Sequence, residues 1–185
     1  MTAGRSASPG RYITGFTVHE LLIAMGIAGA VALSSVGLWR IGQETAVTTA
    51  ANELVAHLAL ARSEAVKRKV AVRMCPSTNG TDCLGQSGDY TFWQHGWLVY
   101  ADADANGRPD AAEILRLHEG TGGRVLIRTS RSRPAVSYQP LGTAGGSTIT
   151  FAVCDARDPA RARYVTISNT GRARVSRATT SSVHC

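Results

Sequence analysis

Three sets of side chains have the type and spacing to do chemistry. The first is SNTGRARVSR, Ser168 to Arg177, which carries Arg172, Arg174 and Arg177 and no acid. In an extended strand alternate side chains share a face, so Arg172 and Arg174 would stand roughly 7 Å apart on one side. That is close to the spacing of successive phosphates along a nucleic-acid strand. Arg161 and Arg163 repeat the i, i+2 arrangement just upstream, on what reads as the partner strand. Guanidinium forks grip phosphate bidentately. No base-reading pattern accompanies them, so the expected ligand is a polyanion held by its backbone, with strong salt dependence. The competing account is a solvated hairpin whose arginines keep an edge strand from pairing with another chain.

The second set is DADANGRPDAAE, Asp102 to Glu113, which fits the calcium-loop pattern D-x-[DN]-x-[DN]-G-x5-E. Asp102, Asp104, Asn106 and Glu113 would offer oxygens to a cation, and Gly107 would permit the sharp turn. Such loops join two helices, whereas GWLVYA before it and EILRLH after it are strand-like. Asp, Asn and Gly are also ordinary turn residues. We read a turn between strands, with no resident metal and no other cofactor. A hydrolase built on Asp102, Asp104 and Glu113 would need a nucleophile, a base and an oxyanion set, and none converges with them. The chain reads as a structural and binding protein, not an enzyme.

The third set is Cys75, Cys83, Cys154 and Cys185. No CxxC or HxxxH pair offers zinc its ligands. An even count in an exported chain reads as disulfides. CPSTNGTDC has the loop chemistry for a local Cys75–Cys83 bridge, which leaves Cys154 for Cys185 at the chain's last position. That bond would pin a tail otherwise free to fray.

Charge concentrates where the arginines are. Of 20 Lys and Arg against 13 Asp and Glu, residues 1–123 hold ten bases and eleven acids, and 124–185 hold ten arginines and two aspartates. The whole excess lies in the last third, which suits an anionic partner.

The elements that must position these groups begin with a helix. Residues 1–15 are polar and basic; from Leu21 to Trp39 no residue is charged. As a helix, Phe16 to Trp39 would span roughly 35 Å, enough to cross a bilayer. Arg5 and Arg11 ahead of it keep the leader cytoplasmic. Glu20 stands within the apolar run, where a carboxylate is costly and marks function. Beyond the run, Val47, Ala50, Ala51, Leu54, Val55, Leu58, Ala61 and Ala65 recur at three- and four-residue steps. One helix to about Arg68 is expected, ended by a Glu64–Arg68 pair. After Lys69 the chain turns to short β-rich segments: VAVRM, GWLVYA, EILRLH, RVLIRT, AVSYQP, STITFAV and RYVTIS, separated by Gly, Asn, Asp and Pro. The fold class is α+β: a long N-terminal helix packed on a mostly antiparallel β head, with boundaries 1–15, 16–68 (16–39 within the membrane) and 69–185.

GFTVHELLIAMGIAGAVA, with Gly15 before Phe16 and a Glu at the fifth position after the junction, resembles the class III signal of type IV prepilins. His19 departs from the apolar residue usual beside that Glu. The resemblance implies cleavage by prepilin peptidase between Gly15 and Phe16, N-methylation of Phe16, and pairing of Glu20 with a neighbouring subunit's N-terminal amine. GWLVYADADANGRPDAAEILR resembles the head signature of the FimT/GspH group of minor pilins and pseudopilins, and implies a β-hairpin in a two-sheet head. GRAR, Gly171 to Arg174, is similar to the G-R-x-R motif of DNA-binding FimT-type minor pilins. It implies capture of double-stranded DNA in natural transformation through Gly171, Arg172 and Arg174; the charge pattern adds Arg161, Arg163 and Arg177 as further groups to neutralise phosphates. The implied partners are other pilins or pseudopilins, prepilin peptidase, DNA and the inner membrane. The head would be periplasmic before assembly and at the cell surface in a pilus after it. The alternative from the same resemblance is a type II secretion pseudopilin acting in pseudopilus assembly.

Overall fold

The computed structural model describes residues 17–85, 88–130, 132–145, 149–177, 183 and 185, without the side chains of 32–45. The expected leader and the Gly15–Phe16 junction lie outside the described residues. Helix α1 runs Val18–Arg68. Its start carries a signal that the sequence reading passed over. Thr17 N and Oγ1 donate to Glu20 Oε2 at 3.0 and 3.1 Å, and Glu20 N donates back to Thr17 Oγ1 at 3.3 Å. This reciprocal T-x-x-E arrangement is a capping box, and it satisfies donors that a helix start leaves orphaned. Val18, Leu21, Leu22, Ile23, Met25, Ile27 and Val31 are exposed. Among the described residues no helix is long and apolar enough to cross a membrane.

The second compact unit is Ile41–Cys185. Within it Val47, Ala50, Ala51, Leu54, Leu58, Ala61 and Ala65 are buried, and Val55 packs partly buried beside them. This is the stripe expected from spacing. Glu64 closes the helix with Arg68 at 2.6 Å and Lys67 at 3.6 Å. Lys69, in the left-handed region at φ 58°, turns the chain out of it.

Nine strands follow: β1 Ala71–Pro76, β2 Tyr90–Phe92, β3 Gly96–Asp102, β4 Ile114–Glu119, β5 Val125–Ser130, β6 Val136–Tyr138, β7 Ile149–Asp155, β8 Ala162–Ile167 and β9 Ala173–Ser176. They form two sheets, in the orders β4-β3-β1-β6 and β2-β5-β7-β8-β9, with every pair antiparallel. All seven expected strand segments and the returning strand are present. Only β2 has no counterpart in the sequence reading, because three residues are too few to show alternation.

Both sheets and the helix stripe share one core, with Trp93, Trp97, Phe151, Met74, Ile127 and Ile167 among its largest members. β3 is buried along its whole length. Trp97 and Val99 face the main core, while Leu98 and Tyr100 pack with Cys75 in a separate cluster. Disulfides join Cys75 to Cys83 and Cys154 to Cys185, with Cα atoms 5.5 and 5.7 Å apart. The second holds Cys185 against Ala152, Cys154, Ala162 and Tyr164.

Candidate nucleic-acid interface

Strands β8 and β9 form a hairpin at the edge of the five-stranded sheet. Gly171 N donates to Ser168 O at 2.8 Å, and Ser168 N donates to Arg172 O at 3.0 Å. The turn is therefore a three-residue loop, Asn169–Gly171, with the glycine in the left-handed position (φ 79°). The turn is also docked. Ala144 N donates to Asn169 O at 3.1 Å. A Cβ on Gly171 would collide with the Gly142 carbonyl oxygen and come within 3.1 Å of Tyr138 Cε1. Arg62 Nε, on α1, donates to that same Gly142 oxygen at 3.0 Å. The glycine of GRAR thus serves a close approach of two backbones.

The register pairs Ile167 with Ala173, Thr166 with Arg174 and Tyr164 with Ser176. Ala173 packs against the main core. Arg172 and Arg174 share the opposite face, as the i, i+2 spacing requires. Both are exposed. Their guanidinium groups make no ion pair among the described residues.

The other arginines of the expected patch are placed differently. Arg163 has the parity of Val165 and Ile167, which face the core, so it stands on the other side of β8 from Thr166 and Arg174. Its Nη1 donates to Ala162 O at 3.1 Å. Arg161 is paired with Asp158 at 3.0 Å in the turn between β7 and β8. Arg177, exposed just past β9, has the parity of Arg163 rather than of Arg174. Arg161 and Arg163 were expected to repeat the i, i+2 arrangement on the partner strand. Only Arg163 lies on that strand, because β8 begins at Ala162, and the register sets it on the other side of the sheet from Arg174.

The acidic loop lies between β3 and β4, and its oxygens are taken largely by its own N–H groups and by Arg73 of β1. Asp102, 3% exposed, pairs with Arg73 Nε at 2.7 Å and accepts from Gly107 N at 3.0 Å. Asp104 accepts from Asn106 N and Nδ2, Asn106 from Arg108 N, and Glu113 from Ala103 N. The Tyr100 hydroxyl donates to Gly107 O at 2.9 Å, and burial raises its pKa above the ordinary tyrosine range. The four oxygen donors considered for calcium thus act as turn and ion-pair acceptors. Among the described residues no three His, Cys, Asp or Glu gather as a metal site.

One cluster had no signal in the sequence. His57 of α1, Trp97 of β3 and His118 of β4 pack together, with His57 edge-on to the Trp97 ring. Trp97 and His118 stack at 3.8 Å between ring centroids, and Trp97 Nε1 donates to His57 Nδ1 at 3.2 Å. Burial lowers the pKa of both histidines; for His57, the neighbouring His118 and Arg116 push the same way.

Comparison with known proteins speaks to the scaffold. The family model described as type II transport protein GspH matches residues 50–171. A crystal structure of the type IV minor pilin FimU from Pseudomonas aeruginosa, in space group P65, is similar at 25% identity. It has a TM-score of 0.54 over 70% of this chain and 91% of FimU. A second FimU crystal structure, in space group P21, gives the same TM-score at 24% identity, covering 70% of this chain and 87% of FimU. No curated protein matches the chain at a significant level. The family match ends at Gly171, one residue before Arg172.

Proposed function

The chain belongs to the GspH family of minor pilins and pseudopilins, a structural family, and from that premise we propose that it is a minor pilin that holds extracellular double-stranded DNA on its terminal hairpin. The observation that carries this reading is the pair Arg172 and Arg174. Both are exposed on one face of an edge hairpin whose turn is fixed by Gly171, and neither has an ionic partner among the described residues. Two exposed guanidinium forks, carried on backbone positions roughly 7 Å apart, suit successive backbone phosphates. Arg177 and Arg163 add positive potential from the sheet's other side. Arg161, held by Asp158, contributes least.

Assembly belongs to the same proposal. Prepilin peptidase would cut between Gly15 and Phe16, and the uncharged run from Leu21 to Trp39 would hold the chain in the inner membrane before other pilins receive it. Glu20 would then exchange its contact with Thr17 for a neighbouring subunit's amino terminus. The disulfides Cys75–Cys83 and Cys154–Cys185 suit a head exposed to an oxidising periplasm and cell surface. Capture of DNA for natural transformation is the role these parts serve together.

The test is a titration of the full chain in detergent with short duplex DNA at several salt concentrations. Binding should weaken steeply with salt and be insensitive to sequence. The double substitution Arg172→Gln, Arg174→Gln should weaken it about tenfold or more and reduce the salt slope by about two. Equal affinity in the double variant would sink the assignment. A second reading, a pseudopilin of type II secretion, draws on the family model's own description. It is favoured if the chain ignores DNA at low salt but binds other tip pseudopilins.

A further inference from the structure

The groove between α1 and the β8–β9 turn holds groups that the hairpin reading leaves unused. Arg62 from the helix, Tyr138 from β6 and Arg172 line it together with Val55, Ala59, Gly171 and Ala173, around a cavity of about 180 Å3. Tyr138 is 1% exposed, and its buried hydroxyl has no hydrogen-bond partner among the described residues. Native structures rarely leave a buried donor unpaired, so the Tyr138 hydroxyl, beside this groove, is available to an acceptor oxygen that enters it. Arg62 is held at the groove wall through Nε by the Gly142 carbonyl. Its charge reaches the Tyr138 hydroxyl, whose pKa burial pushes up to about 12 while Arg62 pulls the other way. The hydroxyl therefore remains a donor at neutral pH.

Two cations and one buried O–H donor ask for a compact anion with several acceptor oxygens. A cation would be repelled, and a neutral carbonyl would leave both guanidinium charges unanswered. The cavity is smaller than those that enclose drug-sized ligands, roughly 300 Å3 upward, so it suits one small group. We propose that this groove seats a single phosphate group, with Tyr138 donating to one oxygen and Arg62 and Arg172 flanking the others. Resting on the DNA reading, the phosphate comes from the duplex backbone. Arg172 belongs to both places: its side chain shares the outer face with Arg174, and the residue lines the groove between Gly171 and Ala173.

Two probes separate the seat from the DNA reading. Inorganic phosphate, added to the full chain in detergent, should shift the Tyr138 ring resonances saturably, and chloride at equal ionic strength should not. In duplex titrations Arg62→Gln should weaken binding about three- to tenfold and reduce the salt slope by about one. Tyr138→Phe keeps the ring in the core and should weaken binding about two- to fivefold with an unchanged slope, since it removes a neutral donor. Arg62→Lys keeps the charge and should retain the full slope, which separates loss of charge from loss of fold. If phosphate leaves Tyr138 undisturbed, or if Arg62→Gln and Tyr138→Phe bind duplex like the unaltered chain while the Arg172, Arg174 double variant does not, the seat is overturned and the hairpin reading stands. Phosphate seated on Tyr138 in a chain that ignores duplex would uphold the seat and reject DNA as its source.

Discussion

The β3–β4 and β8–β9 hairpins are built from the same materials and end in opposite electrostatic states. Each turns on a left-handed glycine, Gly107 in one and Gly171 in the other. In the acidic hairpin the carboxylates point back into the turn. Asp102 is buried against Arg73 and Gly107 N, and Glu113 caps Ala103 N. In the basic hairpin the turn is satisfied by backbone and by Ser168, so Arg172 and Arg174 are left outward. Carboxylates are short acceptors that match local N–H groups, whereas guanidinium has no acceptor and a long reach. The lesson is that a cluster of charge announces a site only where the turn does not need it.

Four experiments would break or sharpen this contrast. The largest effect is expected for Gly171→Val. A β-branched residue at φ 79° combined with overlap on the Gly142 oxygen should cost about 4 kcal/mol, measured by urea denaturation. A loss below about 1 kcal/mol would show that the basic turn is not docked. Next is Arg73→Met, which strands the buried Asp102 carboxylate and should cost about 3 kcal/mol. Little change would mean that the acidic loop does not depend on its internal pair.

A smaller effect should appear with pH. His57 and His118 have folded pKa values below those of the unfolded chain, so the unfolded state binds more protons as pH falls. Their contribution is full above an unfolded value of about 6.5 and is lost as pH drops toward the folded values. Glu53, which faces both rings, and Glu119 oppose the depression, and Arg116 reinforces it. Thermal melts from pH 7.5 to 5 should therefore decline, and His118→Gln should flatten that decline. A melt that rises on acidification would reverse the assigned sign. The smallest effect belongs to Arg172→Gln with Arg174→Gln, which should alter stability by less than about 0.5 kcal/mol even as DNA affinity collapses. A large loss of stability would mean that these arginines belong to the fold after all.

Much of the scaffold was legible because its signals are local. The buried stripe from Val47 to Ala65 follows from a 3.6-residue period, and the strands from alternation between turn residues. The capping box at Thr17 and Glu20 was equally local, yet the functional reading of Glu20 obscured it. The candidate site was legible only in part. The spacing of Arg172 and Arg174 placed them on one face, but nothing in RARYVTISNTGRAR says that Arg163 faces the other way. That depends on the pairing of Thr166 with Arg174, which a turn of different length would change.

The amino-acid sequence by itself determined the long helix, its buried stripe, every strand but β2 and the gathering of arginine at the end, each set by neighbours a few residues apart. It pointed to the two disulfide pairs, and the fold fixed them by bringing their Cα atoms to 5.5 and 5.7 Å. The tertiary structure alone decided which charges are silenced and which stand free. It brought Arg62 to Gly142 across 80 residues, Trp97 to His57 across 40, and the Tyr138 hydroxyl to a place without a partner among the described residues. The physical reason is that periodicity specifies a face, while only the packing of helix against sheet specifies what that face meets.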